Sequence, residues 1–443
     1  MGNSSSRGTK DVLTTEKCRK ARQTIQASRE KILEALHEEC DKCSDDIDLD
    51  EDSHIHYGDS DGSNIDSTQY RFPFENLVLE GGGVKGLVYC GLGRALEEHG
   101  ILKQIRRFAG TSIGSICAAL YAVGFNSHDV EQIMSVNLET LVSDASYGYF
   151  SLIPNLLSYY GWHPGSKFLN YLGEVLSVRT DNPDITFSEV YKKFGNELCV
   201  VITNVNTMSE EYCHVKTTPD MPIRMAVRMS MSIPGVFQSV QKKLFGVTNY
   251  YVDGGVICNY PIHCFDGWWL SLDHHDSFLQ KIQPISKIES IMDRKNRFEV
   301  LPGPMKTIGS LIFSSNEAEV YKAEILKKSG VPMGKLPNTK LASFLGTVFN
   351  ALAINLMRIF IRSSDIDRTI GINSWYIKTN DFGLEEGDKK FLVDQGRRST
   401  IKYLQHFVFD NDPERVSKAD ISGRNVPSKP SLTDAQITRI SKI

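Results

Sequence analysis

The residues best suited to chemistry form one short run, Gly110-Thr111-Ser112-Ile113-Gly114, which fits the pattern G-x-S-x-G. A short apolar segment precedes the run, and residues 113–123 after it read as a helix rich in small side chains. In that context the pattern indicates a nucleophile elbow, a sharp strand-to-helix turn that exposes a serine. We expect Gly110 and Gly114 to be needed there because a Cβ at either position would clash. An ordinary tight turn is the alternative.

A second glycine-rich stretch, Gly81–Gly86, lies between the apolar residues 77–79 and a helical run over residues 87–100. It fits the dinucleotide fingerprint G-x-G-x-x-G, but the acidic residues at the required spacing fall inside the helix. A Walker A loop is excluded because Leu87 stands where lysine is needed. The other use of such a loop is an oxyanion hole, in which backbone N–H groups converge on a developing negative charge at a helix start.

An acidic residue follows the apolar run at residues 250–252 and precedes two glycines, giving Asp253-Gly254-Gly255. This arrangement could aim a carboxylate into a site at the end of a strand. The alternative is a type I′ hairpin turn built on Asp-Gly. Further strands are expected at residues 105–109 and 198–204, and a further helix at residues 224–232.

Residues 125–195 read as a mixed, lid-like region with aromatic clusters such as Tyr159-Tyr160-Gly161-Trp162. We expect these aromatic side chains to pack in the core. A lid that faces lipid is the alternative.

The composition sets limits on the class of protein. The chain has 443 residues, 41% hydrophobic residues and a net charge of −4, which suits a folded protein with a large core and argues against nucleic acid as a partner. Nine cysteines spread over this length indicate free thiols in a reducing compartment. No secretory signal is recognisable, and no run reaches the roughly 18 apolar residues of a membrane span. Residues 341–361 come closest, and we expect a buried helix there, with bilayer insertion as the alternative.

The first residues, Met1-Gly2-Asn3-Ser4-Ser5-Ser6, fit the N-myristoylation pattern, which places a lipid on Gly2. One myristoyl chain binds membranes only marginally, so a second signal is expected. Residues 1–33 supply it, with eight basic and three acidic side chains and a net charge of +5. Cys18 lies among them, and we expect an ordinary cysteine there, with palmitoylation as the alternative.

The charge then reverses. Residues 34–66 carry thirteen acidic side chains and one lysine, a net charge of −12, so we expect a disordered linker. Cys40, Cys43, His54 and His56 resemble zinc-ligand spacing, but the second pair is poorly formed and we do not expect zinc.

The three motifs, in the order Gly81–Gly86, Gly110–Gly114 and Asp253–Gly255, resemble the patatin-like phospholipase family. The similarity spans about residues 74–265, including the segments just before and after Asp253, and continues weakly through residues 368–404, where a strand and a helix are expected. The resemblance implies a three-layer α/β/α sandwich with a mostly parallel central sheet. Together with the charge pattern, it predicts these boundaries: a disordered N-terminal tail at 1–70, a catalytic domain at 74–266, a C-terminal part with lid or insert helices packing on it at 267–410, and a tail at 411–443.

The resemblance implies roles for individual residues. Ser112 matches the nucleophile and Asp253 the general base of a Ser–Asp dyad. The amides of Gly82 and Gly83 match the oxyanion donors, and Lys85 replaces a basic residue, usually arginine, near that hole. The other glycines that match the family motifs are Gly81, Gly86, Gly110, Gly114, Gly254 and Gly255.

A carboxylate can act as the base if burial raises its pKa and it bonds directly to the serine hydroxyl. A triad using His263, His274 or His275 is the competing mechanism. The dyad is preferred because no histidine lies in a recognisable motif.

We therefore expect a phospholipase A-type acyl hydrolase that acts on glycerophospholipids through an acyl-serine intermediate, without Ca²⁺ or another cofactor. It would work at the cytoplasmic face of a membrane, held by Gly2 and the basic arm. An activating protein is compatible with the sequence. The alternatives are a neutral lipid lipase or lysophospholipase with the same site, and a non-catalytic membrane-anchored adaptor.

Overall fold

The computed structural model describes residues 67–272, except 137–139, 142, 147, 245 and 268, and then residues 298, 305–314, 363–379, 381 and 383–410. By its internal contacts the chain divides into residues 1–60 and 61–443, and all described residues belong to the second unit. The predictions on Gly2, the basic and acidic segments, Cys18, the zinc-like pattern, His274, His275, residues 341–361 and the C-terminal tail lie outside the described residues.

A central mixed sheet organises this unit. Ten strands occur in the described ranges: β1 Asn76–Leu79, β2 Arg107–Thr111, β3 Gly161–His163, β4 Glu197–Asn204, β5 Ser209–Cys213, β6 Gly235–Phe237, β7 Val240–Leu244, β8 Val247–Asp253, β9 Thr307–Phe313 and β10 Thr369–Asn373. The sheet has the order β10-β9-β1-β2-β4-β8-β7, and β5 also pairs with β4; β3 and β6 pair separately.

The half of the sheet from β10 to β4 is entirely parallel. Every residue of β1 and of β4 is buried, as expected for parallel strands covered on both faces. The α/β fold class with a mostly parallel central sheet is thus confirmed. An antiparallel part, which the motifs did not predict, is formed by β5, β8 and β7.

Helices connect and cover the strands. They are α1 Val88–Glu98, α2 Ile113–Ala122, α3 Ser127–Met134, α4 Leu152–Tyr159, α5 Ser166–Thr180, α6 Phe187–Phe194, α7 Ile223–Ser230 and α8 Glu386–Asp410. All ten residues of α2 are buried, because its small side chains allow it to lie close to the sheet. The strand and helix expected within residues 368–404 are β10 and most of α8.

The start of α1 and the position of β2 differ from the sequence predictions. A 3-10 turn, Gly83–Leu87, precedes α1, so the regular helix begins at Val88. Strand β2 lies two residues later than expected because its pairing with β1 begins at Arg107, opposite Asn76. Ser112 therefore follows the last strand residue directly.

Strand β4 brings two distant chain segments together. Its residues 200–204 pair with β5 along one edge. The opposite edge is shared by β2, which ends with Thr111 beside Val201, and by β8, which ends with Asp253 beside Ile202. Because β2 is parallel and β8 antiparallel to β4, the two strands run toward each other and their ends meet.

Candidate active site

Ser112 occupies a strained turn between β2 and α2. Its backbone has φ 52° and ψ −127°, a conformation that a residue with a side chain rarely adopts. The Ser112 amide donates a hydrogen bond to Ser230 Oγ on α7 at 2.8 Å, which helps to hold the turn. The side chain is nearly buried and lies at the N-terminus of α2, where the helix dipole favours negative charge.

The two glycines around Ser112 leave no room for side chains. A Cβ on Gly110 would lie 2.3 Å from the carbonyl carbon and oxygen of Gly114. A Cβ on Gly114 would lie 2.5 Å from the backbone oxygens of Leu79 and Glu80, at the end of β1. The turn therefore packs backbone against backbone, as the expected steric role of both glycines requires.

Asp253 faces Ser112 from the end of β8. Its Oδ2 accepts a hydrogen bond from Ser112 Oγ at 2.7 Å, and its Oδ1 accepts one from the Gly255 amide at 2.7 Å. The chain continues into a 3-10 turn, Gly254–Val256, in which neither glycine has a positive φ. This rules out the alternative type I′ hairpin, which needs positive φ at both central residues.

The surroundings of Asp253 alter its acidity. Burial raises the pKa of its carboxyl group from 3.8 to about 7, although the hydrogen bonds from the Gly255 amide and from Ser112 oppose this rise. The carboxylate is thus a much stronger base than an exposed aspartate, and it is already hydrogen-bonded to the hydroxyl proton of Ser112.

The glycine-rich loop passes directly beside the serine. A Cβ on Gly81 would lie 3.1 Å from Ser112 Cβ. Among the described residues, the amides of Gly82 and Gly83 have no hydrogen-bond acceptor, so both remain available to a ligand. Lys85 is buried in the following 3-10 turn, and its amide donates to the Gly82 carbonyl at 3.2 Å.

Two residues that the sequence analysis did not assign to the site hold this loop in place. Asn259 accepts a hydrogen bond from the Gly81 amide through its backbone oxygen, at 3.1 Å, and its Nδ2 donates to the Gly81 carbonyl at 2.9 Å. The same Nδ2 donates to Glu80 Oε1 at 3.0 Å, and Glu80 Oε2 accepts from the Ile312 amide at 2.6 Å. A charged residue between an apolar strand and a glycine run was the available signal for Glu80.

The structure does not bring His263 to the serine. Its Nε2 is 2.9 Å from the hydroxyl of Tyr212, and its ring packs edge-on against Phe298 in the core. The Ser112 hydroxyl instead contacts Asp253 and, at 3.5 Å, the sulfur of Met231. Among the described residues, the geometry therefore favours a dyad over a triad with His263.

Residues 77–266 match the sequence model of the family described as patatin-like phospholipase. The chain carries a patatin-like phospholipase domain. The patatin-like domain thus contains all three motifs from which the resemblance was drawn, and the suspected family is confirmed.

Several relatives of the patatin-like domain have names that refer to lipids. The "Probable lipid hydrolase 463L" of Invertebrate iridescent virus 6 is 26% identical, over 43% of this chain and 62% of that protein. The "Triacylglycerol lipase 5" of Saccharomyces cerevisiae is 27% identical, over 42% of this chain and 27% of that protein. The chain spans about three fifths of the length of the first relatives that it matches.

Among solved structures, VipD from Legionella pneumophila is similar with a TM-score of 0.44 and 17% identity, over 76% of this chain and 67% of that one. Within the described ranges, no helix combines the length and hydropathy needed to cross a bilayer.

Proposed function

We propose that the chain is a lipid acyl hydrolase of the phospholipase A type, which cleaves fatty acyl esters of glycerophospholipids with a Ser112–Asp253 dyad. The observation that carries the proposal is the 2.7 Å hydrogen bond from Ser112 Oγ to a buried carboxylate, in a strained turn beside two glycine amides that have no acceptor among the described residues. The lipid-related names of the relatives support the substrate class.

In the proposed mechanism, Ser112 Oγ attacks the ester carbonyl carbon while Asp253 Oδ2 takes the hydroxyl proton. The carbonyl oxygen becomes an oxyanion, which the amides of Gly82 and Gly83 stabilise by hydrogen bonds. The proton passes from Asp253 to the departing alcohol oxygen, leaving an acyl-serine. Asp253 then deprotonates a water molecule, which attacks the acyl carbon; the ester bond to Ser112 Oγ breaks, Asp253 returns the proton to Oγ, and the fatty acid is released.

A second candidate function is hydrolysis of neutral lipids, favoured by the relatives named triacylglycerol lipases. The same dyad would serve both reactions, because the ester bond is the same and only the rest of the substrate differs. A defined panel of phospholipid, lysophospholipid and triacylglycerol separates them, and we expect the highest kcat/KM for a diacyl phospholipid.

Labelling by a fluorophosphonate probe tests the nucleophile directly. The wild-type protein should be labelled covalently, because the probe phosphorylates an activated serine. Ser112→Ala should lose both the label and lipid hydrolysis, by about 10³-fold or more. The matched control is Ser115→Ala, one helical turn away. Continued labelling of Ser112→Ala, or an unlabelled wild-type protein, would contradict the enzyme and favour the non-catalytic adaptor.

We also propose that Gly2 is myristoylated and that the lipid, together with the basic residues 1–33, holds the protein on a membrane. In a flotation assay on cell membranes, Gly2→Ala should lower the membrane-bound fraction relative to wild type, because an alanine at this position cannot receive the lipid. A Gly2→Ala protein that stays fully membrane-bound would refute the anchor.

A further inference from the structure

Helix α4 directs its apolar side chains toward solvent. Phe150, just before the helix, is 92% exposed, Ile153 is 67% exposed and Leu157 is 77% exposed. Pro154 and Tyr160 are exposed as well. These five residues recur at intervals of three or four and so lie along one side of the helix. We refer to them as the α4 face.

Two polar side chains of this segment face the protein, although Ser158 is exposed. Asn155 Nδ2 donates to the Trp162 carbonyl at 2.8 Å, and Ser151 Oγ, just before the helix, accepts from Trp162 Nε1 at 3.4 Å. Both bonds fold the helix back onto β3. A surface helix ordinarily buries its apolar side, whereas α4 leaves this row of apolar side chains exposed.

The α4 face continues into a larger apolar surface. The ring of Tyr160 lies 5.4 Å from that of Tyr250 on β8, and the Tyr250 carbonyl accepts from the Val205 amide at 2.9 Å. Val205 and Met208, in the turn after β4, are exposed, as is Val247 at the start of β8. Seven of the eleven large apolar side chains that are strongly exposed among the described residues lie on this surface. Such a concentration marks an interaction site.

The charges around this surface are not symmetrical. Residues 145–166 contain no Asp, Glu, Lys or Arg. On β7, Lys242 and Lys243 are exposed, and neither has an ion-pair partner among the described residues. Glu210 and Glu211 lie on β5, which β4 and β8 separate from β7; both are only partly exposed, and each accepts a hydrogen bond from within the protein. The fully exposed charges on β7 are therefore positive.

The surface is connected to the candidate active site by short chain segments. Strand β3, which follows α4, pairs with β6 at Gly161 and Gly235. Met231 precedes Gly235 by four residues, and its sulfur lies 3.5 Å from Ser112 Oγ. Strand β8 carries Tyr250 and ends at Asp253. Two short chain segments thus link the surface to the dyad.

We propose that the α4 face inserts into the surface of an anionic phospholipid bilayer, while Lys242 and Lys243 contact the lipid headgroups. Aliphatic side chains flanked by tyrosines and lysines are the combination that sits stably at a bilayer interface, where apolar parts enter the acyl region and ammonium groups meet phosphates. The inference rests on the proposed function only in that the membrane would also supply the substrate.

Vesicle cosedimentation of the full chain tests this surface. All proteins carry Gly2→Ala to remove the proposed anchor and Ser112→Ala to prevent lipid cleavage, so the outcome does not depend on whether Ser112 is a nucleophile. Ile153→Gln/Leu157→Gln should lower partition onto vesicles of phosphatidylcholine and phosphatidylserine by about tenfold or more. Ile366→Gln is the matched control, because Ile366 is 58% exposed but lies elsewhere in the chain. Lys242→Gln/Lys243→Gln should weaken binding to these vesicles more than to phosphatidylcholine alone.

Equal vesicle binding by Ile153→Gln/Leu157→Gln and by the control would overturn the proposal. A second result would also overturn it. If the protein with the unaltered surface bound no vesicles but formed oligomers in size-exclusion chromatography, and Ile153→Gln/Leu157→Gln abolished these oligomers, the surface would be a contact between protein chains. Thermal unfolding midpoints within error of each other confirm that the variants remain folded.

Discussion

Asp253→Asn is expected to lower kcat for ester hydrolysis by about 10²–10⁴-fold, the usual loss when a general base is removed. An asparagine fills the same space and can keep contacts to both partners, because its oxygen accepts from the Gly255 amide and its Nδ2 can donate to Ser112 Oγ. The loss would thus reflect removal of the base and not a rearranged site. Single-turnover kinetics with a soluble ester measure it.

The pH dependence of kcat/KM in the wild-type protein should report the ionisation of the same carboxyl group. Because burial raises the pKa of Asp253 to about 7, its ionised form dominates only above that pH. We therefore expect kcat/KM to rise about tenfold per pH unit below pH 7 and to level off above it. A profile that is flat between pH 5 and 8 would contradict the assignment.

His263→Gln serves as the matched control for Asp253→Asn. His263 bonds to Tyr212 in the core, and a glutamine can keep a polar contact there. We expect turnover within a few-fold of wild type. If His263→Gln abolished turnover in a folded protein while Asp253→Asn was tolerated, the dyad would be wrong.

Asp253→Asn should affect stability in the opposite direction. A carboxyl group whose pKa rises from 3.8 to about 7 on folding contributes most to stability below pH 4, and this contribution is lost as the pH rises through 7. At pH 8 the ionised group therefore costs up to about 4 kcal/mol of unfolding free energy. The asparagine variant, although inactive, should be the more stable protein at pH 8 and should lose this advantage at pH 4, as measured by urea unfolding.

Gly114→Ala is expected to destabilise the protein by about 2–3 kcal/mol or more and to abolish activity. The added methyl group would lie 2.5 Å from the backbone oxygens of Leu79 and Glu80, which cannot move without shifting β1. Helix α2 would have to retreat from the sheet and would carry Ser112 away from Asp253. Chemical denaturation and fluorophosphonate labelling report the two effects separately.

The matched control is Gly383→Ala. No heavy atom lies within 4 Å of the position of its Cβ, and its φ is not positive. We expect stability within about 0.5 kcal/mol of wild type. A Gly114→Ala protein as stable and as active as Gly383→Ala would show that α2 is not held against β1 by a close backbone contact.

The sequence was sufficient to locate the central residues of the candidate site. Ser112 and Asp253 were selected because each lies at the end of an apolar strand and is flanked by glycines, a local pattern that the chain determines over a few residues. The predicted boundaries of these strands and helices agree with the observed ones to within about two residues for the same reason.

Other features depend on contacts between distant segments. The link from Asn259 to Gly81 and Glu80 joins two loops that are about 180 residues apart, and no local pattern encodes it. The outward direction of the α4 face was also not predictable, because apolar residues occur on both sides of that helix. Core packing was expected for Tyr159 and Tyr160, and this prediction was wrong, since both are about half exposed.

The way in which β2 and β8 meet on one edge of β4 has a consequence for how this protein can diversify. The separation between the serine and the carboxylate is set by backbone pairing with Val201 and Ile202, and not by the 140 residues of chain between them. Insertions or deletions within that intervening chain, including α4, can thus change which lipid or surface is recognised while the reacting groups keep their spacing. A shift of β8 by a single residue along β4 would instead turn the carboxylate to the other side of the sheet. The segments that recognise the substrate or surface can therefore vary in sequence and length, but the register of β8 against β4 cannot change.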